Sequence, residues 1–393
     1  MTKRNIVYLS LASMIAVVAF APVIARAQSE TVVYSFRGNA FGSEPVGSLV
    51  GDSKGNAYGT ASTGGSSNCP GGCGLVFKGG PFGFAIVYSF TGGPNDGANP
   101  RGMLLLDKSS GNLYGTTAEG GTNGNGTVFK ITPSGTETIL WSFGASGSGD
   151  GTGPNGSLAM DAHGNLYGTT HSGGAFNSGS VFKITASGVE SVLYSFQDGT
   201  DGAWPLGGPI LDKAGNIYGT TSVGGGGAGT VFELSASGEE TILHKFDSTS
   251  SDGVQPCSSL VFGPKGDLFG TTEFGGTQGK GTVFVLNPDT GYEKVLYSFG
   301  SQSGDGIWPF AGVTFDTKGN LYGTTLNGGF DNLGTVYSLT PSGTESVVYS
   351  FGEQNTDGNV PYGGLLLDSQ GNLYGTTIIG GIHGQGAIFR ITP

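Results

Sequence analysis

Short runs of apolar and aromatic residues alternate with Gly-, Asn- and Asp-rich breaks along the chain from residue 31 onward. One stretch shows the pattern well: Gly208–Asp212, Asn216–Thr221, Thr230–Ser235 and Glu240–Phe246 are strand-like, and the segments between them carry turn residues. Runs of this length bounded by Gly, Asn, Asp and Pro predict β-strands. The first and second runs are joined by Asp212-Lys213-Ala214-Gly215-Asn216; an earlier copy joins the third and fourth by Thr132-Pro133-Ser134-Gly135. Pro suits an early turn position and Gly a left-handed one, so both are expected to be tight hairpins. The density of Gly and Pro leaves no apolar run at helical spacing long enough for a helical solenoid.

The four-run unit recurs. The aromatic of a Tyr-Gly-Thr-Thr element stands at Tyr58, Tyr114, Tyr167, Tyr218, Phe269, Tyr322 and Tyr374, at intervals of 56, 53, 51, 51, 53 and 52 residues. The Phe of Tyr-Ser-Phe recurs at Phe36, Phe90, Phe143, Phe196, Phe246, Phe299 and Phe351. Four strands per period of about 50 residues, seven times over, predict an all-β fold: a seven-bladed β-propeller of four-stranded antiparallel blades. The chain enters on a fourth-type run, Thr31–Phe36, and leaves on a third-type run, Ala387–Ile391. The two ends should therefore share the last blade and leave no open sheet edge. A Pro opens every first run, and two positions later stands a small residue: Gly47, Gly102, Gly156, Gly207, Ser258, Ala311, Gly363. Seven backbones crowding a central axis would demand that.

Residues 1–27 read differently. Lys3 and Arg4 precede a mostly apolar stretch, Ile6–Ile24, and Ala25-Arg26-Ala27 offers a small-x-small cleavage site. This is the layout of a secretory signal peptide, with a retained membrane anchor as the rival reading. The expected organisation is a leader over 1–27 and one propeller domain over 28–393, secreted or periplasmic, monomeric and not inserted in the membrane after cleavage. The chain stops at Pro393 directly after a strand, so no C-terminal anchor is expected. Removing the leader leaves 14 basic against 29 acidic residues, a net charge of −15. Nucleic acid is then a poor partner, because the Coulomb term has the wrong sign. In an oxidising compartment Cys69 and Cys73 of Cys-Pro-Gly-Gly-Cys are expected to form a disulfide, leaving Cys257 free.

Three segments, Gly371–Thr377 (GNLYGTT), Gly126–Gly135 (GTVFKITPSG) and Asp96–Pro100 (DGANP), make the chain resemble the GloVer (choice-of-anchor) tandem-repeat family of exported bacterial proteins. The resemblance spans essentially all of residues 28–393. It implies an extracytoplasmic repeat protein and brings no activity, substrate or catalytic residue.

In a propeller the connections after the second and fourth strands open on one face, and here these are the longer and more variable ones; function is expected on such loops. An Asp-Gly precedes Pro at Asp96, Asp150, Asp201, Asp252, Asp305 and Asp357. A carboxylate ring suits calcium, but no calcium-loop spacing accompanies it, so turn formation is the preferred reading and neither metal nor cofactor is expected. Asp52, Asp107, Asp161, Asp212, Asp316 and Asp368 should cap the tight hairpins. Residues flanking the prolines differ from copy to copy, which symmetry does not explain. Trp204, Trp308, Arg101, Asn155, Phe310 and Tyr362 are therefore the candidate ligand-binding residues, the tryptophans as stacking platforms for a glycan, with a protein ligand as the other partner considered. Packing of each tryptophan on its own proline and a neighbouring blade competes with that. His171, His383, Glu119 and Glu273 share the variable face and are the candidate acid–base set of an alternative, a small-molecule lyase or hydrolase. The leading expectation is a non-catalytic binding scaffold.

The leader reading predicts a mature protein that begins at Gln28. The intact mass of exported protein should lack residues 1–27; recovery of the full-length chain in membranes would contradict it.

Overall fold

The computed structural model describes residues 30–80, 83–144, 149–249, 251–352, 354 and 356–392. The proposed leader, its cleavage site and Gln28 lie outside these residues. Seven four-stranded antiparallel sheets are arranged as a seven-bladed propeller. In blade 4 the strands, from the axis outward, are Ile210–Leu211, Ile217–Thr221, Thr230–Leu234 and Glu240–Lys245. The innermost strand is shorter than the apolar run that foretold it, since only two residues pair there before the chain turns into the hairpin. Blade 7 takes its outermost strand, Glu30–Ser35, from the start of the chain, in register Glu30 to Ile391 and Ser35 to Ala387. The propeller and its closure by the N-terminal strand are both as the repeat pattern predicts.

The repeat motifs map onto contacts between blades. The first Thr of each Tyr-Gly-Thr-Thr element (Thr60 at the equivalent place in blade 1) donates its hydroxyl to the carbonyl of the small residue two positions after the next blade's Pro. Thr116 reaches Gly156 O at 3.0 Å and Thr271 reaches Ala311 O at 2.9 Å, and Thr376 closes the circle on Gly47 O at 3.3 Å. Such an approach requires a small residue: a Cβ at Gly102 would fall 2.6 Å from Gly156 O. Further out, the Phe ending each outer strand meets the third-strand aromatic of the next blade edge-on. Phe90–Phe129, Phe246–Phe284 and Phe36–Phe77 have centroids 5.0, 5.2 and 5.2 Å apart, and all six rings are 0–2 % exposed. Each such pair contributes roughly 0.5–1.5 kcal/mol beyond burial of its area.

The residue before each Pro takes a left-handed backbone. Glu44, Asn99, Gly153, Trp204, Gln255, Trp308 and Val360 have φ of 53–62°. In each case the N–H is held by the blade behind and the carbonyl by the blade ahead, as with Trp204 N to Ser178 O (2.9 Å) and Ser222 N to Trp204 O (3.2 Å). Only Gly153 adopts this conformation freely; for L-residues it costs on the order of 1–2 kcal/mol, most for a β-branched side chain. The hairpins behave as foreseen: Asp212 accepts the N–H groups of Ala214 and Asn216 and the amide of Asn216 at 2.8–2.9 Å. Cys69 and Cys73 are disulfide-bonded and Cys257 is free.

Deleting residues 29–37 should lower Tm sharply and cause aggregation, because it bares the edge of blade 7 and removes Phe36 from its place against Phe77. An unchanged melting curve would show that the N-terminal strand does not close the ring.

Val360→Asn should raise unfolding free energy by about 1 kcal/mol, since Asn tolerates the left-handed region and already fills it at Asn99. A loss of stability in denaturant titration would mean that Val360 packing outweighs its backbone strain.

Candidate functional site

The residue after each Pro faces the axis at one mouth of the channel. Val46, Arg101, Asn155, Leu206, Cys257, Phe310 and Tyr362 line a cavity of about 510 Å³, and the small residues that follow each of them share its wall. Phe310 and Tyr362, from neighbouring blades, place their ring centroids 4.4 Å apart at 39°. Asn155 Oδ1 is buried without a hydrogen-bond partner. Arg101 is exposed, and its Nε donates to Asn99 Oδ1 at 3.0 Å; Asn99 Nδ2 in turn donates to Glu119 Oε1 at 3.1 Å. Burial, with Cys257 nearby, pushes the Tyr362 phenol up to about 12, so it remains a neutral hydrogen-bonding group. The Cys257 thiol is 4 % exposed, lies 3.6 Å from Glu273 Oε2, and is held protonated by burial and by that carboxylate.

Trp204 and Trp308 occupy the left-handed positions before their prolines and are not among the residues that line the cavity. Trp204 is 46 % exposed and stacks at 5.9 Å on His171, which belongs to the blade behind. Trp308 is less open: Phe274 lies edge-on at 6.2 Å, and Lys280 Nζ sits 5.6 Å from the ring centroid. The structure thus brings Arg101, Asn155, Phe310 and Tyr362 together in one cavity lining, which neither tryptophan joins.

The candidate acid–base residues are not brought together. Glu119, His171, Glu273 and His383 follow the second strands of blades 2, 3, 5 and 7, and no hydrogen bond or ion pair between any two of them occurs among the described residues. His171 Nδ1 lies 2.9 Å from Ser172 Oγ, and burial lowers its basicity. His383 is exposed.

The Asp-Gly carboxylates form turns: Asp96 accepts Thr91 N–H and Gly97 N–H at 2.7 Å, and Asp150 accepts Gly144 N–H and Gly151 N–H at 2.8 Å. They also do something sequence reading missed. Each is coupled to a Glu that opens the outer strand of the next blade, giving Asp96 with Glu137, Asp150 with Glu190, Asp201 with Glu240, Asp252 with Glu293, Asp305 with Glu345 and Asp357 with Glu30. Burial first, and the Asp charge second, push each of these glutamates up to about 7. A tyrosine at the end of the preceding outer strand donates to the Asp in four pairs, as Tyr297 does to Asp305 Oδ2 at 2.8 Å. His244 takes that place beside Asp252, with Nε2 at 3.0 Å from Oδ2. A signal was present: a Glu stands six residues before the Tyr-Ser-Phe phenylalanine in six copies, and the copy with Phe84 there is joined to the copy with Phe41 in place of Asp.

Several solved structures share the fold. The extracellular domain of a one-component system from B. thetaiotaomicron is 14 % identical with a TM-score of 0.59, over 92 % of this chain and 40 % of that one, so the chain spans two fifths of that protein's length. Oligogalacturonate lyase from Vibrio parahaemolyticus is 11 % identical with a TM-score of 0.59, over 94 % of this chain and 96 % of that one. At these identities the likeness concerns architecture alone. No protein of curated function matches the sequence. The Gloeobacter/Verrucomicrobia repeat matches residues 20–228 and 207–393, which together take in the seven repeats, their junction residues and the channel mouth. The chain belongs to the Gloeobacter/Verrucomicrobia repeat family.

Proposed function

We propose that the protein is a non-catalytic binding scaffold that works outside the cytoplasm and takes a glycan at the channel mouth. One observation carries this reading: a single structural position, the residue after Pro, lines the cavity in all seven blades with seven different side chains, Val46, Arg101, Asn155, Leu206, Cys257, Phe310 and Tyr362. The fold needs the proline and the small residue that flank this position; it does not need the variety between them. The cavity has the size of a small-molecule site. Its aromatic pair offers a face for a sugar ring, Asn155 Oδ1 a buried acceptor without a donor, and Arg101 a cation in an otherwise acidic protein. Trp204, exposed outside the cavity lining, extends the stacking surface to a longer chain. The Cys69–Cys73 disulfide and the leader-like first 27 residues favour an oxidising compartment.

A lyase or hydrolase at the same mouth has less in its favour. None of its candidate acid and base residues, Glu119, His171, Glu273 and His383, is among the residues that line the cavity, and a general acid or base must come within hydrogen-bond reach of the group it protonates or deprotonates.

A glycan array should find ligands for the wild type. Trp204→Ala with Trp308→Ala should weaken binding about tenfold or more, and Arg101→Ala with Tyr362→Ala should weaken it at least as much, both with Tm nearly unchanged. Equal binding by all three proteins would sink the assignment to this mouth; turnover of a bound glycan would replace the scaffold by the enzyme.

A further inference from the structure

We infer that the six Asp–Glu junctions are divalent-cation sites, and that the cation is calcium. The geometry at the junction of blades 5 and 6 shows why. Asp305 Oδ2 accepts three hydrogen bonds, from Tyr297 Oη and the N–H groups of Gly300 and Ser301, at 2.8–3.0 Å. Its other oxygen, Oδ1, is buried and receives none. Across the junction Glu345 Oε2 accepts Gln302 Nε2 at 2.8 Å, and Oε1 is again buried and bare. Asp305 is 5 % and Glu345 8 % exposed. The junction of blades 6 and 7 repeats this with Asp357 Oδ1 and Glu30 Oε1, in residues 4 % and 8 % exposed. Glu137, Glu190, Glu240 and Glu293 each leave the same Oε1 buried and without a donor.

At Asp305 and Asp357 the backbone amides bond Oδ2 and leave Oδ1 bare, whereas at Asp96, Asp150 and Asp252 Oδ1 accepts the N–H of the following glycine and at Asp201 it accepts a hydrogen bond from Tyr194 Oη; at those four junctions the bare oxygen is the glutamate Oε1. Burying two carboxyls together without a counter-charge is costly, and an unpaired buried charge costs more than a lost neutral hydrogen bond. The spacing suits an ion: at the junction of blades 4 and 5, ligand atoms of His244, Asp252 and Glu293 all lie within 4.8 Å of one another. Two oxygens each about 2.4 Å from one calcium ion are at most ~4.8 Å apart. A divalent cation cancels a carboxylate pair completely, where a single shared proton would leave one negative charge buried. The carboxylate pairs offer oxygen donors, with His244 adding a nitrogen only at the junction of blades 4 and 5; oxygen donors select a hard cation, and an irregular, incomplete protein shell, finished by water, suits calcium better than magnesium.

The seventh junction provides the internal comparison. There Phe41 stands at the Asp position and Phe84 at the Glu position, and Phe84 stacks on Tyr34 with centroids 3.7 Å apart. The two acids are absent together and are replaced by apolar contact, as expected of groups that serve one ligand and are useless singly.

The test uses the mature full chain, stripped with chelator and titrated with calcium chloride alone. About six calcium ions should bind per chain, with affinity in the range of extracellular calcium modules, and Tm should rise by roughly 10 °C or more at saturation. Asp305→Asn with Glu345→Gln should reduce the count by one, and so should Glu137→Gln at an independent junction if the first variant folds poorly. Absence of calcium uptake, or an unchanged count in both variants, would overturn the assignment. So would a Tm that rises on acidification from pH 8 to pH 5 and ignores calcium, because the pairs would then be sharing protons.

Discussion

The left-handed residue ahead of each proline is the constraint from which the rest of the structure follows. It is bound through its N–H to one blade and through its carbonyl to the next, so it belongs to the ring and not to a blade. It turns the chain from the outer edge of one sheet to the axis of the following one. The proline then fixes the direction of entry, the next side chain is aimed into the channel, and the one after must be small because a neighbouring backbone occupies its space. The working position and the fold-keeping positions are therefore consecutive residues, and the first varies freely only because the others do not.

Three layers hold each junction. Near the axis a threonine hydroxyl bonds to a carbonyl, in the middle two aromatic rings meet edge to face, and at the outer edge of six of the seven junctions two carboxyls oppose each other. The inner two layers are favourable as they stand and recur at every junction. The outer layer is not self-sufficient: like charges share a partly buried site, and each Glu is displaced far from its ordinary acidity. Where the chain gives up that chemistry, at the Tyr34–Phe84 stack, it gives up both acids. The outer layer is thus conditional on something besides the protein, while the inner layers set the ring itself.

Much of this was legible in the residues. Repeat count, strand order, closure by the first strand, the hairpin role of Asp212 and its equivalents, and the need for Gly102 or Gly156 to be small all follow from periodicity and local turn chemistry. The site was legible in part. Variation at Arg101, Asn155, Phe310 and Tyr362 marked them as unexplained by symmetry, but periodicity does not say whether a side chain points to the axis or the rim. Trp204 and Arg101 sit on opposite sides of a proline, and a left-handed φ sends them to different places. The Glu partners of the Asp-Gly turns stayed hidden for a related reason. Asp305 and Glu345 are 40 residues apart and one blade apart, and a repeat displays what recurs within a unit without displaying which unit it faces.

Native-state hydrogen exchange at the clamp amides tests the central claim most directly. The N–H groups of Glu44, Asn99, Trp204, Gln255, Trp308 and Val360 cross the blade junctions, whereas those of Val128, Val181 and Val283 lie within third strands. If the clamps make the blades one cooperative ring, both sets should exchange only through the same global opening, with equal free energies and equal dependence on denaturant. Clamp amides that exchange orders of magnitude faster, while the third strands stay protected, would show that blades are stable separately and that the left-handed residues merely connect them.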